Sequence, residues 1–366
     1  MKYKVPFIDY SKEYELLGKE ITKKTRRSLA RGDIMRGHID LFEEEFADYL
    51  GARNCVALNS GTDALFFALK VLGIKEEDEV ITVSWTFIAT IAAIVHCGAK
   101  PVLIDVGDDM VMDTDLLEAA ITPKTKAILP VHLNGQVVNM DKVMEVAGKH
   151  GLLVVEDAAQ AVGAKLGDKK AGTIGNIGCF SFYPAKILGC YGDGGGLITD
   201  SDDIAKEVRL IRNHYEIKGD ISASMKYGWN SRLDNVQAIV LRVKLKHLNR
   251  YIQRRNEIAE AYNAGLKDIS QIKIPVKQPV YQNYVIRAEK RDSLFRYLLN
   301  NGIEPMIRDK TPYHLIDGFA LSHFVLPETK KLAEEVLSLP IFPHLTGGQQ
   351  KFCISKIKQF YLNYRY

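Results

Sequence analysis

One lysine stands where a flexible surface residue is unexpected. In Cys179-Phe-Ser-Phe-Tyr-Pro-Ala-Lys-Ile-Leu-Gly-Cys-Tyr-Gly-Asp-Gly-Gly-Gly196 a β-rich run delivers Ser181 and then Lys186 into a glycine-rich loop. Such a loop has few side chains to crowd a ligand and can bring backbone N–H groups close to it. A loop lysine is ordinarily just solvated, whereas a desolvated one is a nucleophile that forms imines with carbonyls. The second residue is Asp157 in Val154-Val-Glu-Asp-Ala-Ala-Gln160, at the carboxyl end of a buried run. It reads either as a loop acid or helix cap, or as the partner of a buried cation, with Gln160 one turn further on. The third segment is Asn59-Ser-Gly-Thr-Asp-Ala-Leu65, ahead of a helical stripe through Leu65, Ala68, Leu69 and Leu72. Ser60, Gly61 and Thr62 therefore lie at a helix N-terminus, which favours a phosphate, although the same tripeptide often serves only as a cap. Ser84-Trp-Thr-Phe87 offers an aromatic face for a flat ring, or simply a core side chain. Along the chain the order is anion cup, aromatic, carboxylate, lysine, each after a strand.

The elements that must position these residues follow from periodicity. Residues 1–50 read as mostly helical, with Leu41, Phe42, Glu43, Phe46 and Tyr49 giving a stripe that Gly51 ends. Lys23, Lys24, Arg26 and Arg27 read as a solvated helix face. From about residue 54 short strands alternate with helices. Strands are expected at Val80–Val83, Pro101–Ile104, Lys126–Val131, Leu152–Val155, Gly178–Phe182 and Gly196–Thr199. Helices are expected at Ile88–Cys97, after a cap at Asp113 or Thr114, and from Asp141 to about His150. That alternation predicts an α/β fold with a mainly parallel central sheet flanked by helices, and ligands in such sheets bind beyond the carboxyl ends of the strands. Leu233–Leu266 is long for one helix, so a break or a bridge between two units is expected. Beyond it the alternation is smaller. Strands are expected at Tyr284–Ile286 and Ile303–Ile307, and helices at Asp292–Asn300 (ended by Gly302), Glu328–Leu337 and Gln349–Phe360. The division is a large domain over 1–249 and a smaller C-terminal α/β domain over 250–366.

The totals exclude several classes. Of 366 residues, 46% are hydrophobic and 26% charged, the balance of a soluble globular chain. Lys+Arg number 49 against 45 Asp+Glu, so the net charge of +4 does not suggest nucleic acid, while leaving room for a local basic pocket. Five cysteines without a C-x-x-C pair argue for reduced thiols and a cytoplasmic protein. No apolar run approaches the length of a membrane span, and the N-terminus lacks a signal-peptide core. His132 and His214 have no second ligand at metal spacing, so no metal is expected.

The segments quoted above, with TFIAT, ITPKTKAILPVHLNG, VVEDAAQAVGA, FSFYPAKILGCYGDGGG and GWNSRLDNVQAIVLRVKL, resemble the DegT/DnrJ/StrS-type sugar aminotransferases, a branch of the fold-type I pyridoxal-phosphate (PLP) enzymes. The likeness runs from roughly residue 30 to 250, with weaker matches such as LSLPIFPHL beyond. The resemblance implies a Schiff-base role for Lys186 and makes Asp157 the partner of the pyridine nitrogen. It places Gln160 near the phenolic oxygen and Phe87 over the ring. Gly61, Thr62 and Ser181 match phosphate-binding positions. Asn230, in Gly228-Trp-Asn-Ser-Arg232, matches an asparagine that reaches the neighbouring subunit's cofactor phosphate, which implies a homodimer with shared active sites. The implied activity is transfer of an amino group from glutamate to a nucleotide-linked 3-keto or 4-keto sugar. Some relatives are dehydratases with histidine at the lysine position; Lys186 favours transamination.

Two departures from the family pattern stand out. The usual K-N-L-G reads Lys186-Ile-Leu-Gly189 here. Where many members have His-Tyr-Pro, this chain has Arg308-Asp-Lys310. Arg308 and Lys310 are candidates to bind a diphosphate or carboxylate of the substrate, or to face solvent. A dinucleotide-binding reading of Gly192-Asp-Gly-Gly-Gly fails, because it comes late in the chain and lacks the strand-turn-helix setting. Two other readings stay open: an aminotransferase for a keto-cyclitol, and a PLP-binding regulator without turnover, against which the intact Lys186, Asp157 and Gln160 set weighs.

Overall fold

The structure, a computed structural model, describes residues 3–35, 37–217, 219–220 and 226–363. Two helices lead in, α1 (Tyr10–Ala30) and α2 (His38–Leu50), the second ended by Gly51 in the left-handed conformation. The chain then lays down β1 (Asn54–Leu58), α3 (Gly61–Val71), β2 (Glu79–Val83), α4 (Ile88–His96), β3 (Lys100–Ile104) and β4 (Thr125–Ile128). Next come α5 (Met140–His150), β5 (Leu153–Asp157), a small hairpin of β6 (Lys165–Leu166) and β7 (Lys169–Lys170), then β8 (Ile177–Ser181), β9 (Gly195–Thr199) and α6 (Asp202–Ile211). The long helical stretch breaks at Lys246-His247 into α7 (Asn235–Leu245) and α8 (Leu248–Leu266). The remainder is β10 (Ile272–Lys273), β11 (Tyr284–Ala288), α9 (Arg291–Asn300), α10 (Pro327–Glu335), β12 (Val336–Leu339) and α11 (Gly347–Asn363).

The large sheet has the order β1-β9-β8-β5-β4-β2-β3. All its strands run parallel except β9, which is antiparallel to both β1 and β8. Strands covered on both faces read as continuous apolar runs, and the buried residues of β1, β2 and β5 follow that pattern. The carboxyl ends of β1, β2, β4, β5 and β8 all reach the same edge, and β9 begins there. Phe42 and Phe46 of α2 pack edge-on against Phe182 and Phe180, with ring centroids 5.2 Å apart.

A second core gathers α8, α9 and α11 on the sheet β10-β11-β12, and Val5 from the N-terminal segment joins it, bridging to Ile303. Arg255 of α8, itself buried, donates from Nη1 to the carbonyls of Tyr281, Gln282 and Ile341 at 3.0–3.2 Å. Asp105, just past β3, accepts from the backbone N–H of Glu328 and Thr329 at 2.8 and 2.9 Å and so caps α10.

Three local expectations are corrected. After Asp113 there is no α-helix but two 3₁₀ turns, Thr114–Leu116 and Glu118–Ala120, each too short to continue. Ile303–Ile307 forms only isolated bridges, at Ile303 and Met306. Val336 and Leu337 leave the helix for β12, where β-branched and apolar side chains pair with β11. The five cysteines are all free, and four are buried. Among the described residues, no helix is long and apolar enough to cross a membrane.

Candidate active site

The edge where the parallel strands end is built around close backbone approaches. Ser60 caps α3, its hydroxyl accepting from the Asp63 N–H at 3.1 Å, which leaves the first N–H groups of an eleven-residue helix pointing outward. A side chain on Gly61 would lie 2.8 Å from the Ser181 Cβ, and one on Gly195 would lie 2.2 Å from the Ser60 carbonyl. The glycines let β8, β9 and the start of α3 close into one cup, with Ser181 and the exposed Thr62 at its rim. Free N–H groups at a helix start beside glycine and hydroxyl residues are the chemistry that favours a phosphate.

Asp157 ends β5 and is 5% exposed. Its Oδ2 accepts from the Thr90 hydroxyl at 2.8 Å, and Thr90 in turn shares a 2.7 Å hydrogen bond with Thr86. Oδ1 accepts from the Ala159 N–H at 3.2 Å. Thr90 lies on α4, whose N-cap is Phe87, so one helix fixes both the carboxylate and the aromatic. Phe87 is 55% exposed, with the Arg308 guanidinium carbon 6.0 Å from its ring centroid. Gln160 turns its Oε1 to the Asn134 N–H at 3.0 Å, leaving its amide N–H groups for another acceptor.

Beneath Asp157 lies a buried pair. Glu156 accepts from the N–H groups of Gly172, Ile174 and Gly175 at 2.8, 2.6 and 2.6 Å, and from His132 Nε2 at 2.9 Å. His132 Nδ1 accepts from the Val138 N–H at 3.2 Å, so the ring proton sits on Nε2. Burial opposes ionisation of Glu156, but these hydrogen bonds outweigh it and hold its pKa below the ordinary value. Glu156→Gln should destabilise the fold by about 2–4 kcal/mol, because an amide cannot accept from all four donors. Denaturant unfolding monitored by circular dichroism checks this; a loss under about 1 kcal/mol would contradict it.

Lys186 stands in the loop after β8. Gln282, from just before β11, clamps that loop by accepting from the Ile187 N–H at 3.0 Å and donating to the Ala185 carbonyl at 2.8 Å. The Gln282 N–H donates to Asn134 at 2.9 Å, and Asn283 donates to the Asn134 side chain at 2.9 Å. One network thus joins the lysine loop, Gln160 and the second core. Burial, then the positive charge of Arg308, brings the Lys186 amine down from its ordinary 10.5 to about 8, with the Asp157 carboxylate opposing. The amine is therefore half neutral near pH 8, a far larger share than an ordinary lysine has there, and neutral is the state needed for a nucleophile or base.

The sign of the resulting pH dependence is fixed. Between about pH 8 and 10.5 the unfolded chain holds the proton that the folded chain has released. Stability of the cofactor-free protein therefore rises with pH across that window. The penalty is fully present below pH 8 and gone above 10.5. Melting curves of the wild type and Lys186→Met, both without cofactor, should differ most below pH 8 and converge towards pH 10.5. A difference independent of pH would exclude the shift.

Two candidates stand apart from this cluster. Lys310 is exposed. Asn230 is also exposed, on a segment nailed to the same chain on either side: Trp229 packs edge-on against Phe66 at 5.3 Å, and Ser231 donates to Asp63 at 2.6 Å. Thr90, Asn134 and Gln282 were missed in the sequence. Thr90 left a trace as the one hydroxyl on the otherwise apolar face of Ile88–Val95, whereas Asn134 and Gln282 left none.

The site has what PLP requires: an N–H cup for the phosphate, a buried carboxylate, an aromatic face and an amine of lowered pKa. Comparison with known proteins agrees. The pleiotropic regulatory protein of Geobacillus stearothermophilus is 39% identical over 377 aligned positions, covering 98% of this chain and 99% of that protein. The dTDP-3-amino-3,4,6-trideoxy-alpha-D-glucose transaminase of Micromonospora megalomicea subsp. nigra is 40% identical, covering 96% and 97% respectively. Among solved structures, DesV of S. venezuelae in complex with a ketimine intermediate superposes with a TM-score of 0.94 at 40% identity, over 98% of this chain and 99% of that one. The model of the DegT/DnrJ/EryC1/StrS aminotransferase family matches residues 15–358, and the chain belongs to that family of PLP-dependent aminotransferases.

Proposed function

We propose that this enzyme transfers an amino group from glutamate to a nucleotide-linked keto-sugar whose carbonyl is at carbon 3 or carbon 4. The observation that carries the reading is the convergence of Lys186, Asp157 and the Gly61–Ser181 cup at one sheet edge, together with the nucleotide-sugar substrate named for the Micromonospora relative. PLP, when bound, supplies a carbonyl that captures amines and a cationic ring that accepts electrons. Lys186 Nζ holds the cofactor and takes up and returns the proton at the carbon that gains or loses nitrogen. Asp157 balances the ring cation, Gln160 donates to the phenolic oxygen, and Phe87 covers the ring face. Gly61, Thr62 and Ser181 hold the phosphate.

The same reading makes the enzyme a cytoplasmic homodimer, with Asn230 reaching the partner's phosphate, which accounts for an exposed asparagine on a fixed segment. It also takes residues 1–249 and 250–366 as the two domains. The regulatory name of the Geobacillus relative favours keeping a non-catalytic reading in the test. The experiment is to incubate the holoenzyme with L-glutamate and a panel of nucleotide-linked 3-keto and 4-keto sugars. Formation of 2-oxoglutarate and an aminated product, identified by mass and NMR, is the expected result. Turnover of a keto-inositol that nucleoside diphosphates fail to inhibit would replace the sugar with a cyclitol. No amino transfer to any acceptor would leave the regulator.

A further inference from the structure

Arg308 is held in a way that leaves one guanidinium nitrogen without a partner among the described residues. Its Nε donates to Asp309 Oδ2 at 2.8 Å, and Asp309 Oδ1 accepts from the Tyr313 hydroxyl at 2.8 Å. Asp309 adopts φ +41°, a left-handed conformation that a non-glycine residue takes at a cost. The next residue in the segment, His314, is locked to Ser84 at the end of β2 through both its N–H and Nδ1, at 3.2 and 2.9 Å. The guanidinium carbon lies over the Phe87 ring at 6.0 Å, and the side chain is 19% exposed. Nη2 is closed off from solvent and has no hydrogen-bond partner among the described residues. A solvated surface arginine would leave that nitrogen in water, and a structural one would give it a carbonyl or carboxylate. Here the side chain is only partly exposed, its charge acts on Lys186, and Nη2 keeps unused hydrogen-bonding capacity.

We propose that Arg308 is the carboxylate-recognising residue of this site, its terminal guanidinium edge taking a carboxylate carried at or beside the carbon that exchanges nitrogen. The proposal rests on the assignment of Lys186 made above. A guanidinium fork matches a carboxylate with two parallel hydrogen bonds. A diphosphate also pairs with arginine, but on a nucleotide-linked sugar it hangs from carbon 1. Intervening ring carbons separate it from carbon 4, and so from the amine on which the charge of Arg308 acts. The carboxylate of an amino acid donor is bonded directly to the carbon that loses nitrogen. A uronic acid acceptor carries one on carbon 5, beside carbon 4. Both sources present the same chemistry to Arg308.

The test compares the wild-type holoenzyme with Arg308→Gln and Arg308→Lys. Calorimetric titration with maleate, a dicarboxylate that cannot react, reads binding without turnover. Maleate affinity should fall by about 10–100-fold in Arg308→Gln, the range for a charged hydrogen bond. Arg308→Lys should restore only part, since a point charge lacks the fork. Each half-reaction is then followed separately by absorbance in single turnovers. A loss concentrated in the L-glutamate half-reaction assigns the donor's carboxylate. A loss at least about tenfold greater for a 4-keto uronate than for its neutral counterpart assigns the acceptor's. Unchanged maleate affinity, or equal losses for carboxylate-bearing and neutral partners alike, would overturn the proposal. Should the wild type transfer no amino group at all, the functional reading falls, and the maleate titration still decides the role of Arg308.

Discussion

Lys186→Ala abolishes amino transfer, with kcat expected to fall by about 10⁴-fold, the upper range for a positioned proton-transfer group. The variant also loses the only amine in this loop, so borohydride should no longer fix a phosphopyridoxyl group to the peptide containing Ser181–Gly189. Its fold is expected to survive. Gln282 holds the loop through the Ile187 N–H and the Ala185 carbonyl, neither of which belongs to the lysine side chain. Removing an amine whose pKa burial has lowered takes away an unfavourable group, so the melting temperature of the cofactor-free protein should not drop. A small primary amine added to the assay is expected to restore part of the rate, which a misfolded protein would not show. Retained turnover, or a phosphopyridoxyl mass on another lysine in the wild type, contradicts the assignment.

Asp157→Asn should lower kcat by about 10²–10³-fold, the scale for removing one preorganised electrostatic partner. The amide has nearly the shape of the carboxylate and can still accept from the Ala159 N–H, while the Thr90 hydroxyl can turn to accept where it had donated. Packing is therefore preserved and only the negative charge is lost. Without that charge nothing beneath the ring balances its cation, so the cofactor should also dissociate more readily, measurable as loss of visible absorbance on dialysis. Thr90→Val removes a hydrogen bond to Asp157 and leaves the charge, so its loss should be the smaller of the two. Activity within a few-fold of wild type in Asp157→Asn would remove Asp157 from the role.

The order of residues along the chain was enough to read the large sheet. Short runs rich in β-branched residues, each followed by a helix signal, have few arrangements other than a parallel sheet with its working edge at the strand ends. Asp157 and Ser181 end their strands, Ser60 and Phe87 cap the helices that follow β1 and β2, and all four fall at that edge because strand ends and helix starts are local properties. The break between α7 and α8 was likewise legible from an apolar stripe too long for one helix. Local signals failed where a neighbour decides. The apolar character of Val336 and Leu337 suits a helix as well as a strand, and only pairing with β11 makes them strand.

What the sequence by itself determined is the set of groups and their succession: an amine in a glycine-rich loop, an acid at a strand end, an anion cup before a helix. These depend on contacts within a few residues. What only the tertiary structure decided is what surrounds them. Thr90 meets Asp157 across 67 positions of chain, and Gln282 meets the lysine loop across 95. Arg308, a departure from the family pattern that the sequence left between an anion-binding and a solvated role, comes near Phe87 and acts on Lys186 in a segment that His314 holds to Ser84. Such contacts follow from packing between distant segments, and burial, charge and unpaired hydrogen-bonding capacity become definite only once that packing exists.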